Sequence, residues 1–206
     1  MLNDNKQKLY ITVKTALSVG TWIIAFVMAL KSGNTDTLKY ILPALIFCTL
    51  GDVLLALSDE VNISLKEPYF TLGVASFGIA HVIFGFYFLT LIGFDISLSV
   101  ILSPLTALLL WYFRHSGILE CGRYNGSIMV YALLVGAFLG LGINLVISGG
   151  FTPKHILLCA ASVLFWTSDL TLSFRYFSSK SPFTLGVIVL TTYFAAIYMI
   201  AFSICL

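Results

Sequence analysis

Two aspartates, Asp52 and Asp169, stand inside long apolar stretches of the chain. An aspartate at the centre of a membrane helix costs about 2.5–3.5 kcal/mol on insertion scales, so such a residue faces the bundle interior and by default marks a functional place. Two carboxylates in unlike surroundings can divide acid and base roles, one kept neutral to donate a proton and one ionised. Lys14, near the start of the first apolar stretch, would hold its carboxylate neighbour in the ionised form. His81, Tyr131, Ser168 and Tyr193 lie in comparable apolar settings and supply hydrogen-bonding groups for a substrate or a water. The chemistry these residues offer is proton transfer, with Asp52 and Asp169 as the catalytic pair. Lys14, His81, Tyr131, Ser168 and Tyr193 are the candidate substrate-binding groups.

Other chemistries lack their residues. His81, His115 and His155 belong to a helix centre, an inner loop and an outer helix end, so they are not expected to converge on one metal. No metal and no cofactor is expected. The last apolar segment contains no lysine for a retinal Schiff base, and no Gly-x-Ser-x-Gly elbow occurs. Cys48, Cys159 and Cys205 lie in apolar segments and Cys121 in a loop, without CxxC spacing, so free thiols are expected.

Simpler roles are open for each group. Asp52 and Lys14 can form a structural ion pair between the first two helices. Asp169 can bond to Ser168 and Thr167, His81 can serve as a helix-to-helix hydrogen-bond partner, and Tyr131 and Tyr193 can be packing residues. Asn144 reads as a packing contact near an outer helix end. Arg175 and Lys180 read as interface anchors that snorkel.

These residues are carried by a chain of 206 residues, 59% hydrophobic and 10% charged. Soluble domains carry about 25% charged residues, so this composition requires a membrane. A net charge of +2 spread over short loops argues against a nucleic-acid partner. One crossing helix takes roughly 20 apolar residues, and seven apolar segments are legible: Tyr10–Leu30, Tyr40–Ser58, Tyr69–Ile92, Ile96–Phe113, Ser127–Ile147, His155–Phe177 and Phe183–Cys205. The segments show none of the alternation of a transmembrane barrel. The reading is an all-α, polytopic membrane helical bundle of about seven transmembrane helices, forming a single integral membrane domain over residues 1–206. Pro68 suits the start of the third helix. Glu60, Val61 and Asn62 with Asp59, and Ser178–Pro182, mark breaks. The first segment follows Lys6 and Lys8 but is too long for a cleavable signal, so it reads as an uncleaved anchor.

Lys6, Lys8, Lys66, Arg114, Arg123, Arg175 and Lys180 fall on one side and Lys31, Lys39 and Lys154 on the other. That bias places the amino terminus in the cytoplasm. Asp52 lies six residues, roughly 9 Å, from Ser58, and Asp169 eight residues, roughly 12 Å, from Phe177. Both carboxylates therefore fall in the cytoplasmic half, in one layer with Lys14, Tyr131, His81 and Tyr193. The expected location is a bacterial inner or cell membrane.

The sequence around these groups resembles the YhhN-like lysoplasmalogenase family. Gly51-Asp52-Val53-Leu54-Leu55 is similar to its Gly-Asp-x-x-Leu motif, and Phe77-Gly78-Ile79-Ala80-His81 to its aromatic and Ala-His motif. Phe165-Trp166-Thr167-Ser168-Asp169 is similar to its Phe-x-x-Ser-Asp motif, Lys14 falls at its Lys-Pro, and Tyr131-Ala132 matches its Tyr-Ala. The matches keep the family's order over about 190 residues of the chain. Thr15 replaces the proline, Phe84 a usual tyrosine and Ala161 a frequent glycine. Tyr193-Phe194-Ala195-Ala196-Ile197 lacks the last-helix glutamine, so a glutamine role does not carry over. Members commonly have eight helices, the extra one before the lysine; with thirteen residues before Lys14, that helix is expected to be absent or merged. The resemblance implies hydrolysis of the vinyl-ether bond of a lysoplasmalogen, giving a fatty aldehyde and glycerophosphoethanolamine or glycerophosphocholine. Its partners would be that lysophospholipid and membrane lipids. The competing reading is a small proton-coupled transporter with Asp52 and Asp169 as its relay.

Overall fold

Seven helices carry the apolar segments across the molecule in a computed structural model that describes residues 4–59, 63–179 and 182–206, with side chains described from Lys8 in the first helix and from Lys66 in the third. They are α1 (Asp4–Ser32), α2 (Leu38–Ser58), α3 (Ile63–Leu91), α4 (Ser97–His115), α5 (Asn125–Ile147), α6 (Pro153–Phe177) and α7 (Phe183–Phe202). Each is long and apolar enough to cross a membrane. In hydrocarbon the backbone must satisfy its own polar groups, which is why continuous apolar sequence of this length becomes helix. Large apolar side chains such as Ile23, Phe26, Val82, Val100, Leu108 and Val130 remain on the outside, where lipid would cover them.

Local sequence fixes the helix ends. Thr152 caps α6 by accepting the His155 backbone N–H at 3.1 Å, with Pro153 beside it in the first turn. Asp95 plays a similar part for α4, its Oδ1 accepting from the Ser97 N–H at 2.9 Å. The chain reaches that cap through Gly93 and Phe94, both left-handed at φ 62° and 66°.

One expectation needs correction. The third helix begins at Ile63, so Pro68 lies inside it rather than at its start. The missing proline N–H would have served only the carbonyl of residue 64, in the first turn, so the helix tolerates it. The residues before Lys14, from Asp4 on, form the opening turns of α1. Lys180 lies outside the described residues, as do Glu60, Val61, Asn62 and Ser181 of the expected breaks.

Contacts between helices run α1–α2–α3–α5–α6–α7 and return to α1, closing a ring of six. Helix α4 packs outside it, against α5. Gly136 and Gly140 make that contact possible: a Cβ on Gly140 would fall 2.5 Å from the Ser99 backbone. The close approach is fastened by Ser99 Oγ donating to the Ala137 carbonyl (2.9 Å) and Ser103 Oγ to that of Leu133 (2.8 Å). The ring encloses one continuous core, with Phe84, Phe88, Phe138, Phe165, Leu45 and Ile197 fully buried.

Candidate functional site

All six helices of the ring send a polar side chain into one layer, and α4, outside it, sends none of the candidate groups. Asp52 on α2 is 1% exposed. Its Oδ1 stands 2.9 Å from Lys14 Nζ, while Oδ2 accepts from Ser18 Oγ at 2.6 Å and from Tyr193 OH at 2.8 Å. Lys14 and Ser18 are four residues apart and so share one face of α1. An ammonium and two hydroxyl donors supply this buried carboxylate with partners for both oxygens. Gly51 is part of this construction. A Cβ there would meet the Phe77 ring at 2.6 Å, so the glycine lets that ring lie against α2, edge-on to Tyr193.

Asp169 on α6 is 7% exposed and lives in different company. Its Oδ2 lies 3.3 Å from Nε2 of His81, itself 2% exposed. The other ring nitrogen, Nδ1, lies 2.8 Å from the Phe77 carbonyl oxygen. A carbonyl can only accept, so Nδ1 carries a hydrogen. In a neutral ring Nε2 then bears a lone pair, which would face a carboxylate oxygen. Like partial charges at that distance in a buried site are unfavourable. A single proton shared by the pair, on Nε2 or on Oδ2, would turn the contact into a hydrogen bond. Rings of Phe165, Phe138 and Tyr131 stand edge-on around the imidazole, with centroids 4.4, 5.1 and 5.7 Å away.

The remaining candidates divide. Among the described residues Tyr131 OH is buried without a hydrogen bond of ordinary geometry, in clefts that Asp169 also lines and near enough to interact with its carboxylate. Ser168 lines the Asp52 cleft, but its Oγ donates to the Val189 carbonyl at 3.1 Å and ties α6 to α7. Thr167 Oγ1 donates to Val163 of its own helix, so neither neighbour bonds to the Asp169 carboxylate. Asn144 is a packing contact at the far end, its Nδ2 donating to the Asp95 carbonyl at 3.1 Å. His115 stacks on Trp111, and His155 Nδ1 lies 3.0 Å from the Gly150 carbonyl, both remote from His81.

A narrow cleft reaches this layer and is lined by Lys14, Asp52, Ser168, Asp169 and Tyr193. Its mouth, at the bundle end where α1 and α7 begin, carries Tyr10, Asp59, Arg175 and Tyr176. Two smaller clefts also touch Asp169, one beside Thr106 and Trp166 and one beside Phe70 and Tyr176. An open apolar groove of about 430 Å³ runs between α3 and α5, past Gly78 and Leu134, to Tyr131. Asp59 lies outside the spans, and partial desolvation raises its carboxyl above the ordinary range despite opposing pull from Arg175.

Sequence reasoning missed Ser18, the Phe77 carbonyl and the charged mouth. Ser18 had a signal in its spacing from Lys14; a backbone carbonyl leaves none. No curated protein and no solved structure matches the chain. The YhhN family model matches residues 9–204, nearly the whole sequence, and so includes every residue of the site. The chain belongs to the YhhN family.

Proposed function

We propose that the protein hydrolyses the vinyl-ether bond of a lysoplasmalogen by carboxylate acid–base chemistry. One observation carries the reading: two buried carboxylates, one paired with Lys14 and two hydroxyls and one 3.3 Å from a histidine, line the same cleft. A vinyl ether is not opened by direct nucleophilic attack. It is protonated on carbon, leaving an oxocarbenium ion that water captures, and the resulting hemiacetal collapses to an aldehyde and an alcohol. The net change adds one water across the broken carbon–oxygen bond.

Each step has a group suited to it. The proton between His81 and Asp169 is the one delivered to the alkenyl carbon. The Asp52 carboxylate, held by Lys14, Ser18 and Tyr193, stabilises the cation and directs the water. Tyr131 borders both the apolar groove and the Asp169 clefts, where it orients the chain bearing the alkenyl group. The substrate enters from the membrane, with the amino terminus and the cleft on the cytoplasmic side.

Aldehyde release from purified protein given a lysoplasmalogen in detergent tests the proposal, with the saturated ether as control. Asp169→Asn and Asp52→Asn are each expected to lower the rate by about 10²–10⁴-fold while the protein stays folded. Full activity in either variant refutes the two-carboxylate mechanism.

A further inference from the structure

The mouth of the cleft carries charge of both signs, and its residues are not used by the chemistry below. Arg175 lies six residues beyond Asp169 on α6, about 9 Å along the helix axis. Asp59 follows Asp52 by seven residues, about 10 Å, just past the end of α2. A snorkelling arginine would extend away from the bundle, yet Arg175 is half-buried in the cleft wall. Its guanidinium reaches across to α7, where a Cβ on Gly186 would come within 2.7 Å of Nη1. The glycine leaves the space in which the guanidinium lies. Among the described residues Arg175 and Asp59 form no ion pair with each other, although each borders the same opening. Tyr176 OH stands 3.4 Å from Asp59 Oδ2, and Tyr10 lines the opposite side from α1.

We propose that this mouth is a subsite for a zwitterionic phosphodiester head group, with Arg175 taking the phosphate and Asp59, beside Tyr10 and Tyr176, taking the terminal ammonium. The inference rests on the vinyl-ether reading of the layer below. Lys14 is committed to Asp52, and among the described residues that line the cleft Arg175 is the other cation. In a single-chain glycerophospholipid about five bonds separate the ether oxygen from phosphorus, an extended reach of roughly 6 Å, and about four more bring the nitrogen to roughly 11 Å. With the ether at the carboxylate layer, the phosphate comes within the swing of the Arg175 side chain and the ammonium arrives at the level of Asp59. A carboxylate and two phenol rings suit an alkylammonium through charge and cation–π attraction. A head group with a phosphate but no cation would set its charge against Asp59, and a neutral one would leave Arg175 unused.

The test compares kcat/KM for 1-alkenyl-lysophosphoethanolamine with that for 1-alkenylglycerol, which has the same vinyl ether and no head group. Hydrogen bonds to charged groups are worth about 1.5–3 kcal/mol, so Arg175→Gln is expected to lower the ratio about tenfold or more, through KM. Gly186→Ala, which crowds the guanidinium without removing it, should lower the ratio in the same direction, and Arg175→Lys should keep much of it. Asp59→Asn should reduce the preference for the ethanolamine head over 1-alkenyl-lysophosphatidate. An unchanged ratio in both Arg175→Gln and Gly186→Ala overturns the subsite. Thermal stabilisation by the saturated ethers separates this from failure of the reading beneath it. If wild-type protein releases no aldehyde from either alkenyl lipid, the vinyl-ether reading falls. Stronger stabilisation by 1-alkyl-lysophosphoethanolamine than by 1-alkylglycerol, lost in Arg175→Gln, would still support the subsite, and equal stabilisation would overturn it.

Discussion

Replacing Lys14 by methionine keeps the unbranched stem as far as its fourth atom and removes the charge, which isolates what the ammonium does for Asp52. The carboxylate is 1% exposed and the lysine side chain 13%, so water replaces little of what is lost. Removing one partner of a buried ion pair costs about 3–5 kcal/mol, because the other charge is left buried. Ser18 and Tyr193 still donate to Oδ2 in the variant, which places the expected loss near the lower end, about 3 kcal/mol. Replacing both members by neutral groups is far milder. Lys14→Met combined with Asp52→Asn should therefore recover about 2 kcal/mol or more of that loss, since the asparagine carbonyl still accepts from the two hydroxyls. Reversible unfolding in mixed micelles, titrated with a denaturing detergent, gives the four stabilities of the cycle. Both variants should also be inactive in aldehyde release, which separates stability from chemistry. A double variant no more stable than Lys14→Met would refute the claim that the lysine compensates a buried carboxylate charge.

Two further outcomes follow from features away from the carboxylate layer. Gly140→Ala should destabilise by about 1–3 kcal/mol in the same unfolding assay, because the added carbon meets the Ser99 backbone rather than a side chain that can turn away. Since α4 lends no group to the site, activity per folded molecule should persist. Asp95, between the spans, is held below the ordinary carboxylate range by the Ser148 hydroxyl and then by the Ser97 N–H and hydroxyl. A depressed value in the folded state gives stability that is present above the ordinary value, about 3.9, and lost as pH falls through the lower folded value. Acid unfolding should thus show a smaller pH dependence in Asp95→Asn, and identical acid profiles would refute the assignment.

Much of this organisation was legible because the chain is so apolar. Asp52 and Lys14 are charges in hydrocarbon-length segments, and their pairing follows from the cost of burying either alone. The seven crossings follow from segment length, although α1 and α3 each begin six residues before their apolar segments, α3 running on through Pro68. The pairing of His81 with Asp169 was less accessible. It depends on helix rotation and on a backbone carbonyl that fixes the imidazole hydrogen, neither of which has a residue type of its own. Arg175 was misleading for a similar reason. Near a helix end it reads as a lipid-surface anchor, and only the packing of Gly186 on α7 against it turns it toward the cleft.

The arrangement along the bundle axis also weighs between hydrolysis and proton transport. A relay across the membrane needs polar groups or water continuing from one side to the other. From the carboxylate layer toward the far end, the next turns of the ring helices bring in Leu45, Phe84, Phe88, Phe138, Phe165 and Ile197, each 1% exposed or less. These side chains fill the ring's interior above His81 and Tyr193, whereas below that layer the cleft runs out past Arg175 and Asp59. Acidic groups reached from one end, and bordered laterally by an apolar groove that ends at Tyr131, suit a reactant that carries its own hydrophobic chain and leaves by the way it came. For a relay, the same phenylalanines would have to part at every cycle. Replacing Phe84 or Phe138 by serine should then speed proton uptake into vesicles if the protein is a transporter. For a hydrolase it should weaken the fold, by about 3–5 kcal/mol or more for so large a truncation that also buries a hydroxyl, without raising proton flux.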